Sequence, residues 1–350
     1  MKAAVWFGHK DVRVVEWEKP SISKSHVLVK VAWAGICGTD RHEYSGPNFI
    51  PVTKPHRLTG KTAPLVLGHE FSGLIAETGE DVGAWKKGDR VMANGSLACG
   101  KCEMCRTGRY NICEKLGFVG VSRDGAFAEY VAVEAERLFK IPDTVGLREA
   151  VLAEPLACGI HSTKLLGNIA GKKVVVIGPG IIGLSCFFAA KIGGAQKILA
   201  AGIGDARKKL IEKNGGSYID CTKNDILHDV QRCFGSQADI VYECAGTQSA
   251  LDSSIKVLKP GGALMVMGVY EKQPVFPMND FQEGERRLFT SQAHIDEIET
   301  ALHLLSQKKI NPSELITREV TLDTLVADGF EELCAHGEQH IKIVIKIDDT

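Results

Sequence analysis

A chain of 350 residues exceeds one comfortable hydrophobic core, so two domains are the starting expectation. With 44% hydrophobic and 24% charged residues and a formal net charge of -1, the composition is globular and favours neither nucleic acid nor an anionic membrane as partner. No apolar run reaches the roughly 18 residues of a membrane helix. Met1-Lys2-Ala3-Ala4-Val5-Trp6 reads as a first strand rather than a signal segment, so a cytoplasmic location is expected. There, eleven cysteines, four of them between Cys99 and Cys113, point to metal rather than disulfides.

The first 150 residues read as β-rich. Lys2–Trp6, Val12–Trp17, His26–Ala34, Leu65–Leu67, Gly73–Thr78 and Arg90–Ala93 are short apolar or β-branched runs between Gly, Pro and Asp. Ser45–Pro64 is rich in Pro and Gly without a period, hence a loop. Cys37 lies in Gly35-Ile36-Cys37-Gly38-Thr39-Asp40-Arg41-His42, and His69 and Glu70 in Leu67-Gly68-His69-Glu70-Phe71. Glu154 follows in Ala153-Glu154-Pro155. Each is weak alone, since a single histidine more often serves the fold than a metal. Together they offer a thiolate, an imidazole and carboxylates, the mixed set of a catalytic zinc site that keeps one position open. A zinc there would polarise an alcohol oxygen and lower its pKa.

Cys99, Cys102, Cys105 and Cys113 form C-x2-C-x2-C-x7-C in a stretch with Gly100, Lys101, Arg106 and Gly108. Four soft thiolates suit a tetrahedral ion, and no open position remains, so this site should be structural. Unrelated buried thiols would not gather in a hydrophilic loop. An iron–sulfur cluster uses the same ligand type, though the spacing suits it less.

After residue 150 the pattern becomes strand alternating with helix. Strands are expected at Lys173–Ile177, Lys197–Ala201, Ile240–Cys244 and Ala263–Val269, and helices at Ile181–Ile192 and Asp205–Lys213. A helix at Asp296–Gln307 and a strand at Ile341–Ile347 close the chain. Gly178-Pro179-Gly180-Ile181-Ile182-Gly183 is G-x-G-x-x-G between a strand and a helix, the context that makes it a dinucleotide turn. A flavin is the competing ligand. The next strand ends in Gly202 where an NAD site carries an acid, and Arg207 and Lys208 follow, so NADP is favoured over NAD. Asp205 keeps NAD in play. Cys244, Ala245, Gly246 and the Met267-Gly268-Val269 turn should also approach the cofactor.

The order of these motifs resembles the zinc-containing medium-chain alcohol and polyol dehydrogenases over essentially the whole chain. The resemblance implies an α/β protein: a GroES-like β-rich catalytic domain of residues 1–150, rejoined by 288–350, and a Rossmann doubly wound parallel sheet of six strands in 151–287. It implies two zincs per chain, one structural and one catalytic on Cys37, His69 and Glu70. By the same resemblance Glu154 would bind that zinc directly or through water. Thr39 would accept the substrate proton and His42 pass it towards solvent, while Asp40 would hold His69 in one tautomer. The active site is expected in the cleft between the domains, and a homotetramer or dimer as the assembly. Ser45–Pro64, His42-Glu43-Tyr44 and Gly329-Phe330-Glu331 resemble the 2,3-butanediol dehydrogenase branch. Acetoin and 2,3-butanediol are therefore the leading small-molecule substrates, sorbitol-type polyols the second, and threonine-like or simple secondary alcohols the third. A zinc-independent reductase and a non-catalytic relative are the rivals, and the Cys37/His69/Glu70 set speaks against both. Phe49, Trp33 and Phe118 could line a substrate cleft, but core packing is the expectation favoured for each.

Overall fold

The computed structural model describes residues 1–46, 49–223 and 225–348; Pro47 and Asn48 of the expected loop lie outside the described residues. The chain forms two compact units, residues 1–154 with 298–350 and residues 155–297.

The first unit is built on mainly antiparallel sheets, with Ile316–Thr321 parallel to Lys342–Lys346. Lys2–Gly8 pairs with Asp11–Glu16 and Leu65–Val66. The larger sheet runs Leu138–Lys140, Arg90–Ala93, Glu70–Thr78, His26–Gly35, Lys342–Lys346, Ile316–Thr321, with Tyr130–Glu134 also on His26–Gly35. Val27, Val29, Val31, Phe71, Ile75 and Val91 from this sheet join Phe127 and Phe330 in one core. Alternation is blurred in His26–Gly35 because much of both its faces is buried, as its near-continuous apolar run foretold. Phe118 packs against the core and Trp33 is half-buried, but Phe49 is 51% exposed and has no place in the interior.

The second unit is a six-stranded parallel sheet in the order Ser217–Asp220, Lys197–Gly202, Lys173–Ile177, Ala238–Glu243, Leu258–Val266, Arg287–Thr290. In chain order this is 3-2-1-4-5-6, with the reversal beside the strand that carries the glycine-rich turn. The expected strand Ala263–Val269 is instead Leu258–Val266. The Lys259-Pro-Gly-Gly segment, a breaker in sequence terms, enters the strand. At its far end Gly268 leaves it to pack on Gly246, so Val269 sits beyond the sheet and is 48% exposed. Among the described residues no helix is long and apolar enough to cross a membrane.

Candidate active site

Sheet register brings the dispersed metal-type residues together. Glu70 opens the strand Glu70–Thr78 and pairs with Gly35, the last residue of His26–Gly35. Two residues past Gly35, Cys37 therefore meets His69, one residue before Glu70. Ligand atoms of Cys37, His69 and Glu70 all lie within 4.8 Å of one another. Gly35 must be a glycine here, because a Cβ would overlap Glu70 Oε2 and lie 2.8 Å from Val151 Cγ1.

The opposite neighbour of the same strand supplies a group that the sequence did not reveal. Val344 pairs with Gly35, which sets Lys342 against the Cys37 segment. Lys342 is 1% exposed, and its Nζ donates to Glu70 Oε1 at 2.7 Å and to Ile36 O at 2.9 Å. Burial would lower the Lys342 pKa, but Glu70 and Cys37 hold it above its ordinary value. Glu70 itself is raised by burial, with Glu154 adding to the effect and Lys342 opposing it. Burial would lower His69, yet Cys37 and Asp40 carry it well above the usual histidine value. These shifts describe a crowd of acidic groups short of positive charge. His69 Nδ1 is buried with no hydrogen-bond partner, while both Glu70 carboxylate oxygens lie against the Lys342 ammonium. A mixed S/N/O set gathered within 4.8 Å, with an orphaned imidazole nitrogen, fits a bound divalent cation.

Two expectations are adjusted. Asp40 Oδ1 lies 3.9 Å from His69 Nδ1, and neither atom makes a hydrogen bond, so Asp40 does not hold His69 through one. The Asp40 carboxylate instead accepts from Cys37 N at 2.9 Å and fixes the start of the helix Gly38–Ser45. Glu154, in the first turn of Ala153–Leu166, stays outside the Cys37/His69/Glu70 cluster, although its charge bears on His69, Glu70 and Lys342. Thr39 and His42 lie three apart on the helix Gly38–Ser45 and so share a face. Thr39 Oγ1 is 3.7 Å from Cys37 Sγ, and His42 Nδ1 is 3.5 Å from Gly46 O. The two segments that mark the branch resemblance touch: Tyr44 stacks on Phe330 with ring centroids 5.0 Å apart. Glu43 is fully buried and accepts from Phe49 N at 2.7 Å and Ile50 N at 3.2 Å, tying the following loop to the helix.

The four-cysteine lobe closes on itself. Sulfur separations are 3.4 Å for Cys102–Cys105, 3.8 Å for Cys102–Cys113 and 3.9 Å for Cys99–Cys105. A tetrahedron with metal–sulfur bonds of about 2.3 Å has edges of about 3.8 Å. The lobe thus fits one small ion, while a multi-iron cluster would hold its thiolates further apart. Backbone N–H groups of Lys101 and Cys102 pull the Cys99 thiol down to about 6. Burial, with the neighbouring thiols, pushes Cys105 up to about 12.

In the second unit, Gly178 has φ 82° and its N–H donates to Ala201 O at 3.0 Å, turning the chain across the next strand. Gly180 caps the helix Ile181–Ile192 without a side-chain hydrogen bond, and nothing lies within 4 Å of where its Cβ would be. That open cradle at a helix N-terminus fits a pyrophosphate. Gly183 packs on Gly178 O, Pro179 is buried, and Ile181 and Ile182 are half-buried. Gly202 ends Lys197–Gly202, and Arg207 follows on the helix Asp205–Lys213, its Nη1 3.5 Å from Ile203 O. Cys244 and Ala245 leave the strand Ala238–Glu243 beside the turn. Sequence reasoning missed Glu243, buried at this strand end. Its Oε1 accepts from Ala245 N and Gly246 N at 2.8 Å each, and its Oε2 from Tyr270 Oη at 2.7 Å. It clips together the two loops that follow the central strands; only its place before Cys244-Ala245-Gly246 hinted at this.

Comparison with known proteins agrees with this arrangement. Residues 23–143 match the alcohol dehydrogenase GroES-like domain and residues 182–307 the zinc-binding dehydrogenase domain. The chain is 35% identical to (R,R)-butanediol dehydrogenase of Bacillus subtilis (strain 168), over 99% of both chains. It is 36% identical to a sorbitol dehydrogenase of Halalkalibacterium halodurans, covering 92% of this chain and 93% of that one. A solved zinc-binding dehydrogenase of Sinorhizobium meliloti 1021 bound to NADP superposes with a TM-score of 0.88 at 30% identity, over 99% of this chain and 98% of that one. Fold, motif order and these relatives together place the chain in the zinc-containing medium-chain alcohol and polyol dehydrogenase family.

Proposed function

We propose that the protein oxidises a vicinal diol of the 2,3-butanediol type to the hydroxyketone, reversibly, with NADP as hydride acceptor. The observation that carries this reading is the Cys37/His69/Glu70 cluster, with its buried His69 Nδ1 that makes no hydrogen bond. Those three residues would hold a catalytic zinc, with Glu154 as a direct or water-mediated fourth partner. Bound there, zinc supplies Lewis-acid polarisation of the substrate oxygen. A nicotinamide bound in the second unit would supply the acceptor for the hydride of the alcohol carbon. The alcohol proton passes to Thr39 Oγ1 and on to His42, one helical turn along the same face, which releases it to solvent. Cys99, Cys102, Cys105 and Cys113 would hold a second, structural zinc. Gly178, Gly180 and Gly183 would shape the pyrophosphate cradle, and Arg207 with Lys208 would neutralise a 2′-phosphate near Gly202.

The likeness to the butanediol dehydrogenase supports the diol. Sorbitol-type polyol oxidation is the second reading, supported by the comparable identity to a sorbitol dehydrogenase. The test is kcat/KM for acetoin, the butanediol stereoisomers, sorbitol, xylitol and threonine with each nicotinamide. Butanediol and acetoin with the NADP couple should lead. Sorbitol or xylitol in first place would replace the substrate assignment, and a strong NADH preference would remove the cofactor assignment.

A further inference from the structure

The strand Lys197–Gly202 ends where a carboxylate would receive the ribose 2′-hydroxyl of NAD. The absence of that acid is built into the surroundings as well as the sequence. A Cβ on Gly202 would overlap Cδ of Pro179, lie 2.5 Å from its Cγ, and lie 3.3 Å from Tyr218 Oη. Pro179 is buried in the turn after Lys173–Ile177, and that strand pairs with Lys197–Gly202 through Ile177 and Ala201. On the other flank, Gly202 pairs with Asp220, which places Tyr218 beside it; Tyr218 Oη donates to Gly204 O at 3.3 Å. A proline ring cannot swing aside as the end of a long side chain can.

We propose that Pro179 is a specificity-determining residue. Its ring, with the Tyr218 hydroxyl, clamps position 202 as glycine and so keeps an acidic side chain from the dinucleotide 2′ position. The consequence for selectivity rests on the reading of the chain as an NADP user. Cofactor choice is then a property of the pair. Gly202→Asp alone drives a side chain into the Pro179 ring, whereas Pro179→Ala deletes the two carbons it would strike.

The test is a double-mutant cycle of wild type, Pro179→Ala, Gly202→Asp and the double variant. Two quantities are read: the thermal midpoint without cofactor, and dissociation constants for NADPH and NADH by fluorescence titration. Gly202→Asp alone should lower the midpoint and gain little for NADH. The double variant should recover much of the midpoint and shift the preference towards NADH by about tenfold relative to Gly202→Asp, a size usual for touching residues. Gly202→Ala, in both backgrounds, reads the same collision where the aspartate variant does not fold. Equal midpoint losses in the two backgrounds, or a full switch to NADH from Gly202→Asp alone, would overturn the clamp. Tighter NADH than NADPH binding by the wild type would instead overturn the NADP reading, and the midpoints would still decide the clamp.

Discussion

The two cysteine-bearing clusters of the first unit are organised on different scales. Cys99, Cys102, Cys105 and Cys113 come from one short stretch, and their backbone and sulfurs satisfy one another locally. Cys37 and the adjacent His69 and Glu70 come from two separate segments that meet because Gly35 pairs with Glu70, and the pairing of Gly35 with Val344 brings Lys342 to them. The lobe is a local fold whose four sulfurs are spaced to hold one ion. The mixed cluster is a product of the whole sheet, and it needs Lys342 to balance the charge of Glu70. A closed, self-contained site suits structure; an acid-rich site with an orphaned imidazole nitrogen suits chemistry on a substrate.

The largest break between them should come from Cys37→Ser. Activity should fall more than about 100-fold, beyond the loss usual for residues behind a metal ligand. The lobe should keep its zinc, and far-ultraviolet circular dichroism should be unchanged. Loss of metal from both clusters would mean that they are not independent. Cys105→Ser should act the other way round. It should empty the lobe and lower the unfolding free energy by an amount on the order of several kcal/mol, while the Cys37 cluster still takes up zinc. Unchanged stability would deny the lobe a structural role.

The contrast in scale also explains what was legible in the sequence. The lobe was readable because its spacing is its geometry. The catalytic cluster became a set only through motif order, since no local pattern says that residue 35 faces residue 70. Lys342 escaped notice because it lies near the start of the expected final strand Ile341–Ile347, and lysines are seldom buried. Asp40 was identified as a neighbour of His69, but its hydrogen bond runs to the Cys37 backbone. In the second unit the strand–turn–helix at Gly178 was plain. The strand Leu258–Val266 was misplaced because Pro260, Gly261 and Gly262 are breakers that tertiary pairing overrode. The collision at Gly202 depends on three adjacent strands and could not be read from any one of them.

Lys342→Met sharpens the comparison at intermediate size. Removing one partner of a buried ion pair typically costs about 3–5 kcal/mol. Because a bound cation also compensates Glu70, the loss should be greater in chelator-treated protein than in zinc-loaded protein, as denaturant titration of both forms would show. Equal losses would mean that Lys342 supports only the fold. Asp40→Asn should be the mildest change. The amide can still accept from Cys37 N but brings no charge near His69, so zinc affinity at this cluster should weaken by about tenfold. Competition with a chelator measures it, and an unchanged affinity would reduce Asp40 to a helix cap.

The most direct measurement is the zinc content of the purified protein followed through graded chelation alongside alcohol oxidation. Two zincs per chain are expected. The more exchangeable one should leave in proportion to activity, while the lobe zinc stays. A metal-free protein with full activity would contradict the account.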